Sequence, residues 1–273
     1  MSTTNNMPET TQQTTFSRAF QIQMRVVSAL LRRELIALSG KKGIGFLLML
    51  VEPLIFVSAI CVFFYLTRRT VGNVPVVAFA MSGYCVMWGC RFQMMKMMNV
   101  VAANRSLLYH RYVKIFDLML GRSILQICST SISFLMFAPI IYIGLVDFPV
   151  KPYLVVFSWL AVLWYGWSLG LITSSIYGLV KMGEKICIVI MVLHIWITGA
   201  FMMVEWLPPD YRGYYLLFPM VHATEMMRDG LFGNRVTAHY SVLYMVCANM
   251  VLTYLGLVLV RKLSQRGAMD DSD

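Results

Sequence analysis

The sequence predicts an all-α integral membrane protein with six transmembrane helices, and three observations carry that reading. The 273 residues are 59% hydrophobic and only 13% charged, against roughly 45–50% apolar and about 25% charged in soluble domains. Six apolar stretches, at 44–66, 74–95, 123–146, 154–178, 185–204 and 239–260, reach the roughly 17–25 residues needed to cross about 30 Å of hydrocarbon. The 23 Lys and Arg residues also sort by side. With the N-terminus inside, six precede the first span, six lie between Arg91 and Arg122, two separate spans four and five, and three follow the last. Only Arg68, Arg69, Lys151, Arg212, Arg228 and Arg235 fall outside, the asymmetry expected of cytoplasmic loops. Both termini are therefore expected in the cytosol and residues 205–233 on the outer side. The net charge of +10 follows this topology and calls for no nucleic-acid partner.

Residues 1–15 hold almost nothing that could be buried, with no basic n-region and no cleavage site, so a disordered cytosolic tail is expected. From Phe16 to Leu38, Phe20, Met24, Val27, Leu31 and Leu38 share one helical face, with Arg18, Arg25, Arg32 and Arg33 opposite. Such a helix, 16–42 with its closing Lys41 and Lys42, suits the membrane interface, its arginines available to anionic headgroups. The alternative is an ordinary packed amphipathic helix. Within the first span, Glu52-Pro53 places an ionisable group at bilayer depth beside a helix breaker. Glu52 either lines a conduit or is hydrogen-bonded to a neighbouring helix.

The largest inner loop, about 96–122, contains an amphipathic stretch at 104–122. Leu108, Tyr112, Ile115 and Met119 share one face, with His110, Lys114 and Asp117 opposite and exposed. By spacing alone it packs under the bundle or docks into a cytosolic partner. In the fourth span, Gly166-Trp167-Ser168-Leu169-Gly170 matches the G-x-S-x-G of serine hydrolases, which requires a strand-to-helix turn. The same residues spell GxxxG, and inside an apolar helical span helix packing is the expected role.

Between the last two spans, Pro208, Pro209, Pro219, Gly230 and Gly233 divide 205–233 into short helical pieces. Glu225 and Arg228, three residues apart, form an expected structural pair. The six cysteines and four histidines are scattered without metal-ligand spacing, and Gly40-Lys41-Lys42 lacks the parts of a nucleotide-binding loop. The chain is thus expected to bind no metal or cofactor and not to be an enzyme by itself.

The run Arg33-Glu34-Leu35 through Gly45-Phe46, followed by Glu52-Pro53, resembles the N-terminal signature of ABC-2 type permeases, especially exporters of capsular polysaccharide and O-antigen. Leu207-Pro208, Pro219-Met-Val-His222 and Glu225-Met-Met-Arg228 resemble that family's segment before the last span, with Phe218 standing where asparagine is usual. The likeness covers residues 16–266, with 267–273 as a cytosolic tail. It implies a homodimer in the bacterial inner membrane and two copies of a separate ATPase that bind ATP and Mg. It further implies periplasmic and outer-membrane export partners, and a lipid-linked polysaccharide as substrate. On the same ground 104–122 becomes a coupling helix contacting the ATPase through His110, Lys114 and Asp117, and 205–233 a pair of re-entrant helices. Candidate path residues are Glu52, Trp88, Arg91, Tyr211, Tyr214, Tyr215 and His222. The aromatic residues suit either sugar platforms or an interfacial belt, and Arg91 either a glycan phosphate or a snorkelling anchor. The rival readings are an exporter of a smaller lipid or drug, and an intramembrane hydrolase using Ser168.

Overall fold

A computed structural model describes residues 9–39, 51–52, 54–55, 58–59, 62–63, 66–67, 70–71, 74–104, 114–135, 141–142 and 147–270. The described chain is mostly helical, as its composition requires: backbone polar groups in an apolar surround are satisfied most simply within one helix. Nine helices are described in chain order: α1 (Glu9–Ser39), α2 (Val76–Met98), α3 (Val100–Ala103), α4 (Ile115–Leu135), α5 (Pro152–Leu179), α6 (Gly183–Trp196), α7 (Pro209–Tyr215), α8 (Pro219–Phe232) and α9 (Val242–Asp270). A two-stranded antiparallel ribbon, Thr70–Val71 with Val74–Pro75, precedes α2.

Among the described residues three helices are long and apolar enough to cross a membrane: α4, α5 and α9 over Val242–Arg266. The expected first span, 44–66, lies mostly outside the described residues. Within it 51–52, 54–55, 58–59 and 62–63 are helical. The centre of the bundle is α2, buried along nearly its whole length. Against it lies α5, through the two glycines of the GxxxG motif. A Cβ on Gly166 would stand 3.1 Å from Cys90 Cα, and one on Gly170 would stand 2.3 Å from Met97 Sδ. The motif therefore lets two helix backbones approach, as small residues do between membrane helices. α9 joins the other side of α5 by polar bonds: Trp164 Nε1 donates to Thr253 Oγ1 at 3.0 Å, and Ser168 Oγ lies 2.7 Å from the same hydroxyl.

Three boundaries differ from the sequence expectation. α1 begins at Glu9, inside the stretch expected as tail, and does not present one uniform apolar face. Val27 and Leu30 are buried, with Leu30 beside Gly121 of α4, while Phe20 and Met24 remain exposed. Residues 115–122 belong to the same continuous helix as the third span rather than to a separate one. The cause is local: Lys114 precedes the helix and donates its N–H to the Asp117 carboxylate at 3.2 Å, while Ile115 and Met119 are buried with Met97 and Leu171. The fifth span shortens most. α6 stops at Trp196, giving about 21 Å of helix, and the chain from Ile197 to Met203 leaves helical geometry.

Candidate functional site

The broken stretch after α6 is where the chain departs furthest from a simple bundle. Thr198, Gly199, Ala200 and Met203 are buried there without a helical ladder, and such backbone groups must find partners. α8 supplies them from three side chains on two adjacent turns. Thr224 Oγ1 donates to Thr198 O at 2.6 Å. Arg228 Nη2 donates to Ala200 O at 3.2 Å and its Nη1 to Met202 O at 2.7 Å. Glu225 Oε1 accepts from Val204 N at 3.3 Å, and its Oε2 accepts from His239 N at 3.3 Å. Glu225 and Arg228 pair at 3.3 Å with their side chains 2% and 1% exposed, and the Arg228 guanidinium sits 4.5 Å above the Phe79 ring of α2. Burial pulls the Arg228 pKa below its ordinary value, and the Glu225 carboxylate opposes that pull.

Two backbone features make room for the break. Gly199 adopts φ +75°, which L side chains rarely take. Gly83 of α2 lies directly against it, where an added Cβ would stand 2.4 Å from Ala200 O.

Short helices then follow the chain's own punctuation: Pro209 begins α7, Pro219 begins α8, and Gly233 at φ +54° closes α8. His222 on α8 uses both ring nitrogens. Ser241 N donates to Nδ1 at 2.9 Å, and Nε2 donates to Leu216 O at 2.8 Å. Burial lowers its pKa, in keeping with the neutral ring that this bonding requires. Tyr244 O–H, beside it, bonds Leu217 O at 2.6 Å. His222, a candidate path residue, is thus a tie between α8 and the start of α9.

A rim of ion pairs surrounds this segment. Glu205 Oε2 meets His239 Nε2 at 2.6 Å and Arg212 Nη1 at 3.1 Å. The His239 hydrogen bond, with Arg212 beside it, holds the Glu205 carboxyl below the usual carboxylate range. Asp229 accepts from Lys151 Nζ and from the Tyr240 hydroxyl, both at 2.9 Å, and Arg235 reaches Asp147 at 2.6 Å. Sequence reasoning found no role for His239, Asp229 or Asp147, because their partners lie up to 88 residues away. Spacing along one helix carries no such signal.

The other expected site residues do not converge. Tyr211 and Tyr214 are exposed on α7, while Tyr215 is half-buried. Beside them Trp206, which is not among those residues, stacks on Phe79 with ring centroids 5.3 Å apart. Trp88 and Arg91 do come together on α2: the guanidinium lies 5.6 Å from the Trp88 ring centre and donates to Met191 O of α6 at 2.8 Å. Glu52 lies apart from them, paired with Lys96 in the last turn of α2 at 3.2 Å. At the opposite end of the bundle from the rim, Lys114 is exposed and His110 lies outside the described residues. Asp117, expected on the exposed side, is 3% exposed. It is turned inward by its bonds to Lys114 N and to Gln23 Nε2, each 3.2 Å long.

Ser168 is buried, and its hydroxyl is engaged with Trp164 O at 3.0 Å and with Thr253. Among the described residues no base is bonded to it, so the residues needed for nucleophilic attack are not assembled there. Among the described residues no group of three His, Cys, Asp or Glu side chains is placed to hold a metal.

Apolar spanning helices, glycine-mediated helix contacts and a broken, side-chain-satisfied segment before the last helix together define a helical integral membrane protein. The sequence matches the family described as ABC-2 type transporter over residues 25–232, and the chain belongs to that family. It is 35% identical to the capsule polysaccharide export inner-membrane protein CtrC of Neisseria meningitidis serogroup B, over 92% of this chain and 96% of that one. It is 34% identical to the capsule polysaccharide export inner-membrane protein BexB of Haemophilus influenzae, over 93% and 96% of the two chains. A more distant relative is the polysialic acid transport protein KpsM of Escherichia coli, 22% identical over 89% of this chain and 95% of the other.

Proposed function

We propose that this chain is the membrane subunit of an ATP-driven exporter that moves capsular, or O-antigen-like lipid-linked, polysaccharide across the bacterial inner membrane. The observation that carries this reading is the near full-length likeness, at 34–35% identity, to two capsule polysaccharide export proteins. In this reading the chain spans the membrane six times with both termini in the cytosol and works as a homodimer. Two copies of a separate cytosolic subunit bind ATP and Mg, and periplasmic and outer-membrane export proteins take over the polymer.

The segment 205–233, packed against the break at 197–203, becomes an outer re-entrant gate. Its support is physical: α8 replaces the missing helical ladder with Thr224, Glu225 and Arg228, which lets irregular backbone sit among spanning helices. Glu225 and Arg228 are structural in this scheme. Tyr211, Tyr214 and Tyr215 offer ring faces to sugar C–H groups on the outer side, and Trp88 with Arg91 offers a ring and a cation further in. Glu52, tied to Lys96, sits at the inner end of the path. Lys114 and His110 contact the ATPase. ATP hydrolysis belongs to the partner, so this subunit holds no catalytic residue.

Deletion of the gene tests the reading. Surface polysaccharide is expected to disappear while polymer accumulates in the cytoplasm, and re-expression of the chain restores export. Unchanged surface polysaccharide with altered resistance to small amphiphiles would instead support an exporter of a smaller lipid or drug. The gate is tested by cysteines placed singly at 211–229 and treated from outside with an impermeant thiol reagent. Positions on α7 are expected to react and buried positions on α8 to resist, whereas uniform labelling would mean a surface loop.

A further inference from the structure

One helix holds the chain on both sides of residues 105–113. Arg33 of α1 donates Nη1 to Asn104 Oδ1 at 3.0 Å. Asn104 donates its own Nδ2 to Val100 O at 2.9 Å, which fixes the amide orientation so that its oxygen faces Arg33. Ten residues earlier on α1, about 15 Å along the axis, Gln23 Nε2 donates to Asp117 Oδ1 at 3.2 Å, and Asp117 Oδ2 accepts from Lys114 N at 3.2 Å. A third tie, Arg122 to Glu34 at 2.6 Å, and the buried pair Val27 and Leu30 seat α1 along α4.

Val27, Leu30 and the Glu34–Arg122 pair lie between α1 and α4. The bond from Arg33 to Asn104 reaches beyond that contact, because Asn104 follows α3 and lies on the other side of the interval. Asn104 and Asp117 are buried, at 6% and 3% exposure, so neither is a solvated surface residue that happens to pass near α1. Their polar atoms, taken out of water, are satisfied by α1 and by the backbone beside them, a cost that would otherwise fall on the fold. Lys114, whose N–H is held by Asp117, keeps its side chain exposed.

We propose that α1 is a splint that sets where Asn104 and Lys114 stand relative to each other, and so positions the exposed Lys114 for its contact with the ATP-binding subunit. The proposal rests on the docking reading given above. Gln23, Arg33, Asn104 and Asp117 are positioning residues, and Asp117 acts through Lys114 rather than touching the partner itself.

The test uses the full-length chain co-expressed with its ATP-binding subunit. Gln23→Leu combined with Arg33→Ala is expected to leave the amount of permease in the membrane unchanged while weakening retention of the ATP-binding subunit about tenfold, the scale of two ordinary hydrogen bonds. Cysteines at Gln23 and Asp117, in a background without the six native cysteines, are expected to lose retention and to regain it when joined by a short bifunctional thiol reagent. That recovery is a readout a general loss of stability would not give. Full retention in the Gln23→Leu, Arg33→Ala variant, with loss in Lys114→Glu, would overturn the splint and leave the docking reading standing. Retention in all of them would overturn both. Should the double variant fail to accumulate, Asn104→Ala carries the same comparison with the same two outcomes.

Discussion

At the scale of single residues, Arg228 fills the structural role that its spacing from Glu225 suggests: fully buried, it bonds two carbonyls and one carboxylate. Arg228→Met would leave Glu225 as a buried charge without its cation, which costs about 3–5 kcal/mol. The expected result is loss of folded protein in detergent, read by thermal unfolding, with Glu225→Gln less severe because its amide oxygen still accepts from Val204 N. Glu205 gives a pH prediction with a definite sign. Its pKa is lowered in the folded chain by the His239 hydrogen bond, so its contribution is present above the ordinary carboxylate range and is lost as pH falls through the folded value. Protease cleavage near residues 205–215 is expected to rise on acidification from about pH 5 to about pH 3, and Glu205→Gln should raise cleavage at neutral pH and flatten that response. Lys151 behaves oppositely. Its pKa is raised, first by the Asp229 hydrogen bond, so that tie holds at neutral pH and weakens only in strong alkali.

At the scale of elements, glycines decide which helices touch. The sharpest position is Gly83, where a methyl group would collide with the Ala200 carbonyl, a backbone atom that cannot swing aside. Gly83→Ala is expected to cost about 1–3 kcal/mol and to reduce export with it. Gly213→Ala, on α7 with nothing within 4 Å of the added carbon, should be silent in the same assays of thermal stability and surface polysaccharide. Gly170→Ala falls between them, because the atom met is the flexible end of Met97. α6 shows why helix ends are hard to read from hydropathy. Residues 185–204 are apolar throughout, yet the helix stops at Trp196 because Thr224 and Arg228 compete for the carbonyls that would continue the ladder.

At the scale of the whole molecule, the chain is a bundle centred on α2, with α5 and α9 layered on one side and α8 folded over one end. Ser168→Ala separates transport from the rival hydrolase reading: with the hydroxyl bonded to Trp164 O and Thr253, the variant is expected to export at close to the parent level, measured as surface polysaccharide. The helical membrane class, the apolar character of α4, α5 and α9 and the helix-packing role of Gly166 and Gly170 were legible in the sequence. Each follows from composition or from a spacing within one helix, and the solvent or the helical repeat enforces it locally. The pairing of Glu225 with Arg228 was legible for the same reason. What the tertiary structure alone decided are the partners that meet from distant parts of the chain. Asp117 turns inward to Gln23, His222 closes on Ser241, His239 meets Glu205, and α6 ends early because α8 takes its carbonyls. Those choices depend on which buried polar group finds which other one once the helices are packed, and that competition has no counterpart in the order of residues along the chain.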